Sequence, residues 1–420
     1  LTAARQAGVI PDPIPGAPIP PVPPPSSLAP RALVPLLVVL AAIGPLTLNL
    51  PLPALPLLSR LFEADPGFIQ LTITLYLAGM AVSQLVLGPL SDRFGRRPVI
   101  LVALGLTVVT SLFAALAASA SLLVLARVLQ SFGASAGQVV GRAIIRDVFD
   151  RDRSASMIGW VTMAMVVAPM VAPTFGGLLI ETVGWRWVFV ATAVVALAAL
   201  ALSFLRLPET RATASSPTVS QLLRDAGELA RDRLFVGYLL LGALSSITFF
   251  AFLGGAPHVT ITLMGQTSTT YGLWFIVNAS GYMLGNAICG RYSGRVGSDR
   301  LMVWGTTGMM VAALGQFLIA WSGHMTHPAL LFIPQAFIAF FNGLQLPGAI
   351  AGAVSVRPQV AGSASGIVGF AQMGLGAIAA QIAGTMVGLM LSPVPMTALT
   401  LFGAAGALAS LALLRPRDRY

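Results

Sequence analysis

The residues of this chain that could do chemistry are few and widely spaced. Gly88-Pro89-Leu90-Ser91-Asp92-Arg93-Phe94-Gly95-Arg96-Arg97-Pro98 sets one acid and three arginines between two long apolar runs. Such a cluster can form ion pairs and relay charge at an aqueous boundary, because burying it in hydrocarbon is costly. Its glycines allow a tight turn and Pro98 suits the first turn of a following helix, so it reads as a short elbow between two membrane helices. Arg127 lies inside an apolar run, and Arg142, Arg146 and Asp147 follow it. Bond-making chemistry finds no support: the single cysteine, Cys289, suits packing, no His/Cys/Asp grouping has metal-ligand spacing, and no Gly-rich Lys loop cradles a phosphate. Neither an enzyme, a metal site nor a cofactor is expected.

The elements that must position these charges are membrane helices. Of 420 residues, 56% are hydrophobic and 9% charged, and the mean hydropathy is +0.86. A soluble domain carries about 25% charged residues. The net charge of +10 is spread over short loops, which argues against nucleic acid as a partner. Every cation other than histidine is arginine, for which we have no physical account. Apolar runs of membrane-crossing length fall near 33–58, 68–90, 98–119, 121–143, 154–180, 187–206, 234–264, 271–290, 301–321, 329–352, 362–390 and 394–414. The expectation is an all-α membrane protein with twelve transmembrane helices in two six-helix bundles, 33–206 and 234–414.

Between the bundles, residues 207–233 are polar, with Val219, Leu222, Leu223, Ala226 and Leu229 at helical spacing, and read as a surface-lying amphipathic linker. Residues 1–32 are proline-rich and read as a disordered, extended tail without a signal peptide; 415–420 form a second tail. The loops after even-numbered spans and both tails hold nearly all the arginines, so the positive-inside rule puts both termini in the cytoplasm.

The order Gly-x-x-x-Asp-Arg-x-Gly-Arg-Arg from Gly88 resembles the signature loop between helices 2 and 3 of the major facilitator superfamily. Gly290-Arg291-Tyr292-Ser293-Gly294-Arg295-Val296-Gly297 repeats its Gly, Ser, Arg and Gly half a chain later, as a duplicated architecture predicts. The resemblance implies pseudo-symmetric halves that rock about a midplane site, with Asp92, Arg93, Arg96, Arg97 and Asp147 at the cytoplasmic gate. Arg127-Val128-Leu129-Gln130 resembles the membrane-embedded arginine motif of the superfamily. Arg127 lies about two turns from Ser121, so a functional arginine and one that snorkels to the surface are both open readings.

Gly159, Ala168, Ala172, Pro173, Gly176 and Gly177 match the spacing of the antiporter signature of the superfamily's drug exporters, with alanine for two glycines. Small residues there let neighbouring helices approach, and Pro169 and Pro173 permit a bend. Leu52-Pro53-Ala54-Leu55-Pro56, Tyr76 with Gln84-Leu85, Arg142 to Phe149, Gly184-Trp185-Arg186-Trp187 and, more weakly, Val360 to Ser365 resemble the bicyclomycin- and chloramphenicol-resistance exporters, the Bcr/CflA group. This resemblance implies a monomeric bacterial inner-membrane exporter of amphiphilic drugs of phenicol, bicyclomycin or sulfonamide type, driven by protons. One residue departs from it: Asn49 stands where exporters of the group usually carry an aspartate, and it cannot titrate. No acid lies in the middle of an expected span, which keeps open a proton-independent facilitator or metabolite exporter. His258 could switch charge or simply pack.

A pocket for amphiphiles needs apolar walls and a few polar groups that orient the ligand. Candidates are Asn49, Tyr76, Gln84, Gln130, Met163, Phe249, Phe250, Trp274, Asn278, Gln335, Asn342, Phe370 and Gln372.

Overall fold

The computed structural model describes residues 30–148, 151–210, 219–357 and 360–414, with the backbone alone for 30–32, 146, 151–166 and 219–223. The chain forms α1 (Pro30–Asn49), α2 (Leu55–Leu61), α3 (Pro66–Phe94), α4 (Arg96–Ala115), α5 (Ala120–Val148), α6 (Arg151–Thr182) and α7 (Arg186–Arg206). It continues with α8 (Val219–Leu229), α9 (Arg233–Pro257), α10 (Ser268–Val296), α11 (Ser298–Trp321), α12 (Pro328–Ser355), α13 (Ala361–Met390) and α14 (Val394–Leu414). Without α2 and α8, these are the twelve long helices expected. Most of tail 1–32 and residues 211–218 and 415–420 lie outside the described residues.

The solvent logic is that of lipid. Val102, Leu116, Leu205, Val311 and Trp321 are exposed, whereas Gln70, Ser83, Arg127, Gln130, Ser131 and Ser135 are buried. An exterior more apolar than the interior is stable only against hydrocarbon. Ten described helices are long and apolar enough to cross a membrane. Of the other two, α6 contributes a shorter apolar stretch, Val167–Thr182, while α10 carries Asn278, Ser280, Asn286 and several glycines along its length.

Two expected boundaries move for local reasons. The first span breaks after Asn49 into a 3-10 turn, Leu52–Ala54, before α2, because Pro51 and Pro53 remove the backbone donors that would continue it. The seventh ends at Pro257 and gives way to a wide turn, His258–Leu263, in which Met264 N–H reaches back to Val259 O at 3.0 Å. This is the π-type spacing that recurs at functional sites.

The halves share one plan. Helix α3 packs on α5 as α10 does on α12, α4 packs on α5 and α7 as α11 does on α12 and α14, and α1 packs on α6 as α9 does on α13. The elbow and its copy match in detail: Gly95 (φ +99) and Gly297 (φ +91) each end a helix by donating to a serine carbonyl four residues back, Ser91 or Ser293, at 3.0 Å. The halves meet along α3 with α13 and α6 with α10. Linker helix α8 docks on the second half: Leu229 is buried with Phe235, Ala353, Ala364 and Val368, Asp225 accepts from Ser363 at 2.6 Å, and Glu228 pairs with Arg357 at 3.0 Å.

Candidate translocation site

Arg127 is 1% exposed, so it does not snorkel. Its Nη1 donates to Thr47 O at 3.0 Å and Gln130 Oε1 at 2.6 Å, its Nε donates to Thr72 O at 3.3 Å, and its guanidinium lies 4.2 Å from the centre of the Tyr76 ring. The chain prepares this socket. Thr47 O would normally accept from the residue four positions on, but that residue is Pro51, which has no N–H. Gln130 Nε2 continues the network to Ser111 Oγ at 2.6 Å, and Tyr76 O–H donates to Gly44 O at 3.1 Å. The arginine therefore ties α1, α3, α4 and α5 into one body. Among the described residues no carboxylate pairs with it, and no Asp or Glu is buried.

The polar candidates of the second half converge on α9. Asn342 Nδ2 donates to Ser245 O at 3.2 Å, and Ser246 Oγ donates to Gln372 O at 3.0 Å. Gln335 is buried and accepts from Gln316 Nε2 at 3.1 Å. Asn49 Oδ1, Asn278 Oδ1, Asn342 Oδ1 and Gln372 Nε2 are buried without a partner among the described residues. Gln84 accepts from Arg142 at 3.3 Å and lies against Gly369 of the other half. Phe250 is buried beside Phe249, and Phe370 is 42% exposed. Trp274 stands apart, stacked on Phe332 and beside His327 at the end of α10 away from the elbow. The side chain of Met163 and the surroundings of Gly159 lie outside the described residues.

The elbow cluster is internal to the first half. Arg96 pairs with Asp92 and, at 2.9 Å, with Asp147, and donates to Ser91 Oγ at 2.6 Å. Asp92 and Ser91 belong to α3, Arg96 to α4 and Asp147 to α5, so the group braces one bundle and does not bridge the two. Sequence reasoning missed Glu209: its carboxylate caps the start of α4, accepting from Arg96 N–H at 2.9 Å and Arg97 N–H at 3.2 Å. The free N–H groups of that helix end attract such an anion. Arg97 completes the contact by donating to Phe204 O at 2.8 Å, and Arg93 lies over Phe94.

The six residues of the small-residue motif divide their duties. Ala172 packs with Leu50 and Val188, and a Cβ on Gly176 would come within 2.0 Å of Leu50 O, so these serve the first half. A Cβ on Gly177 would lie 2.4 Å from Ser268 O in the second half, and Pro173 with Thr174 abuts Gly272 of α10. Ala168 is buried nearby on the same helix. The seam is sealed at this end. Glu181 accepts two 2.8 Å hydrogen bonds from Thr269, Ser268 Oγ donates to Pro53 O at 3.3 Å, Thr74 donates to Gln381 at 2.6 Å, and Gln381 donates to Gly67 O at 2.8 Å. Nearer the arginine-bearing face the halves still touch but less tightly: a Cβ on Gly366 would lie 3.7 Å from Leu85 and one on Gly369 3.4 Å from Gln84. The protein is thus closed on the face opposite its arginine-rich elbow.

Two six-helix bundles of one plan, meeting along two seams and closed against each other at one end, define a secondary-transporter architecture. The sequence profile of the Major Facilitator Superfamily matches residues 37–381, and the chain belongs to that family: it is a multi-pass membrane transporter and not an enzyme. It is 32% identical over 355 residues to the MFS-type transporter YdgK of Bacillus subtilis, covering 83% of this chain and 87% of that one. Multidrug resistance protein D of Escherichia coli is 32% identical over 348 residues (82% and 86% covered), and a bicyclomycin resistance protein homolog of Haemophilus influenzae is 28% identical over 357 residues (83% and 87%). Among solved structures, a D-xylose-proton symporter superposes with a TM-score of 0.72 at 15% identity, covering 91% of this chain and 97% of that one. A bacterial homolog of the human lysosomal transporter Spinster, in an inward-facing conformation, gives 0.70 at 16% (93% and 95%). At those identities the likeness to the two structures is one of fold.

Proposed function

We propose that this transporter exports uncharged amphiphilic antibiotics, of the phenicol, bicyclomycin or sulfonamide kind, from the bacterial cytoplasm in exchange for protons. On this reading the arginine-bearing face and both termini are cytoplasmic, the closed face is the outer one, and the protein works as a monomer by rocking its halves. The observation that carries the reading is the placement of Pro173 and Gly177, from the motif resembling the exporters' antiporter signature, on the seam that must part for release. Relatives named for multidrug and bicyclomycin resistance support the choice of cargo. An uncharged cargo is favoured by the buried Arg127 having no carboxylate partner among the described residues, since such a cation repels a cationic drug in a low-dielectric interior.

A specific observation favours a second reading, a proton-independent facilitator: Asn49, which cannot titrate, is buried where exporters of the group the sequence resembles usually carry an aspartate. Inverted membrane vesicles separate the two. Energised vesicles should accumulate labelled chloramphenicol, lose it when a protonophore is added, and fail to accumulate ethidium. Chloramphenicol uptake that survives the protonophore makes the facilitator reading the right one.

A further inference from the structure

A crevice of about 190 Å³ opens on the outer face exactly where the halves meet, away from the translocation site. The first half supplies Pro56, Ser59 and Arg60 from α2 and Pro66 from α3; the second supplies His258, Thr262 and Leu263 from the wide turn after α9. The end of α13 closes it. Its volume equals that of about six waters at liquid density.

His258 is 6% exposed, and both its ring nitrogens are without partners, as is Thr262 Oγ1 beside it. A buried polar atom left bare is costly, and here three belong to residues that line one cavity. Arg60 lines the same cavity, forms no ion pair among the described residues and is exposed. No carboxylate lines the crevice. Asp65, nearby in sequence, already accepts from Gly67 N–H at 2.7 Å. The walls are otherwise proline, leucine, valine and glycine.

We propose that this crevice binds a singly charged anionic head group with a short apolar tail, a carboxylate or a phosphate diester. The head sits between the guanidinium of Arg60 and the imidazole N–H and hydroxyl donors of His258 and Thr262, and the tail lies along Pro56, Pro66, Leu263 and Leu391. Because Arg60 and His258 belong to opposite halves, an occupant bridges the seam and stabilises the outward-closed state. The assignment does not depend on which cargo is exported or on proton coupling.

The chain has only three histidines, so isotope-labelled imidazoles give a readable spectrum. The full-length protein in phosphatidylcholine nanodiscs should show one imidazole signal that shifts saturably with hexanoate and not with hexylamine; it disappears in H258Q, and R60Q weakens its hexanoate response about tenfold. If the natural head group is a lipid phosphate, nanodiscs containing phosphatidylglycerol show the shifted signal before any hexanoate is added and resist further change. A free-solute site behaves alike in both lipids. The proposal is overturned if the signal ignores both hexanoate and phosphatidylglycerol, if hexylamine moves it equally, or if R60Q, which keeps His258, responds as the unaltered protein does.

Discussion

The carboxylate of Glu181, at the end of α6, accepts two 2.8 Å hydrogen bonds from Thr269 at the start of α10, one from its N–H and one from its hydroxyl. One side chain thereby fastens the two halves at the face opposite the elbow. It is exposed to water, so the contact contributes about 1 kcal/mol after screening. In E181A the closed-to-open ratio of the outer face should fall roughly fivefold. Spin labels on exposed Val183 and Leu273, in a background with Cys289 replaced by serine, should report a longer distance population; an unchanged distribution would remove the latch from the mechanism.

Close approach at Gly177 makes a sharper demand. Valine there would push a side chain into the backbone of Ser268, and backbone cannot yield as a flexible side chain does. G177V should insert normally, lose chloramphenicol export at least about tenfold, and lengthen the distance between spin labels at Val183 and Leu273. Gly105→Ala is the control, because a Cβ at Gly105 meets nothing within 4 Å; export at the unaltered level is expected.

For Arg127 the informative change keeps the charge and removes the fork. A lysine cannot reach Thr47 O, Thr72 O and Gln130 together. R127K should be made at normal levels and lose export by about tenfold or more, with a lowered melting temperature. Full export in R127K would mean that charge alone matters there.

The elbow predicts a split between binding and turnover. Asp92 and Asp147 hold Arg96 within the first half, far from the polar groups around α9. D92N and D147N should leave equilibrium chloramphenicol binding within about twofold and slow exchange across the membrane. Weakened binding at normal turnover would contradict this assignment.

Much of this architecture was legible in the sequence, because hydrophobic run length and the segregation of arginine act within single helices. The elbow and its copy at Gly297 were readable for a similar reason: only glycine suits the positive φ both turns adopt. What sequence could not supply were partners distant along the chain. Thr269 for Glu181, Gln381 for Thr74 and the cap that Glu209 gives α4 depend on how rigid bundles register against each other. Arg127 was ambiguous because distance from a helix end does not say whether neighbouring helices cover it. Pro51, just ahead of the motif that begins at Leu52, is what frees a carbonyl for that arginine.

The polypeptide joining the bundles is moored at both ends, to the first through Glu209 and to the second through Asp225 and Glu228. Each end of the linker therefore travels with its own bundle. A transporter cut between those moorings, supplied as two separate polypeptides, would be reassembled by the seams of α3 with α13 and of α6 with α10.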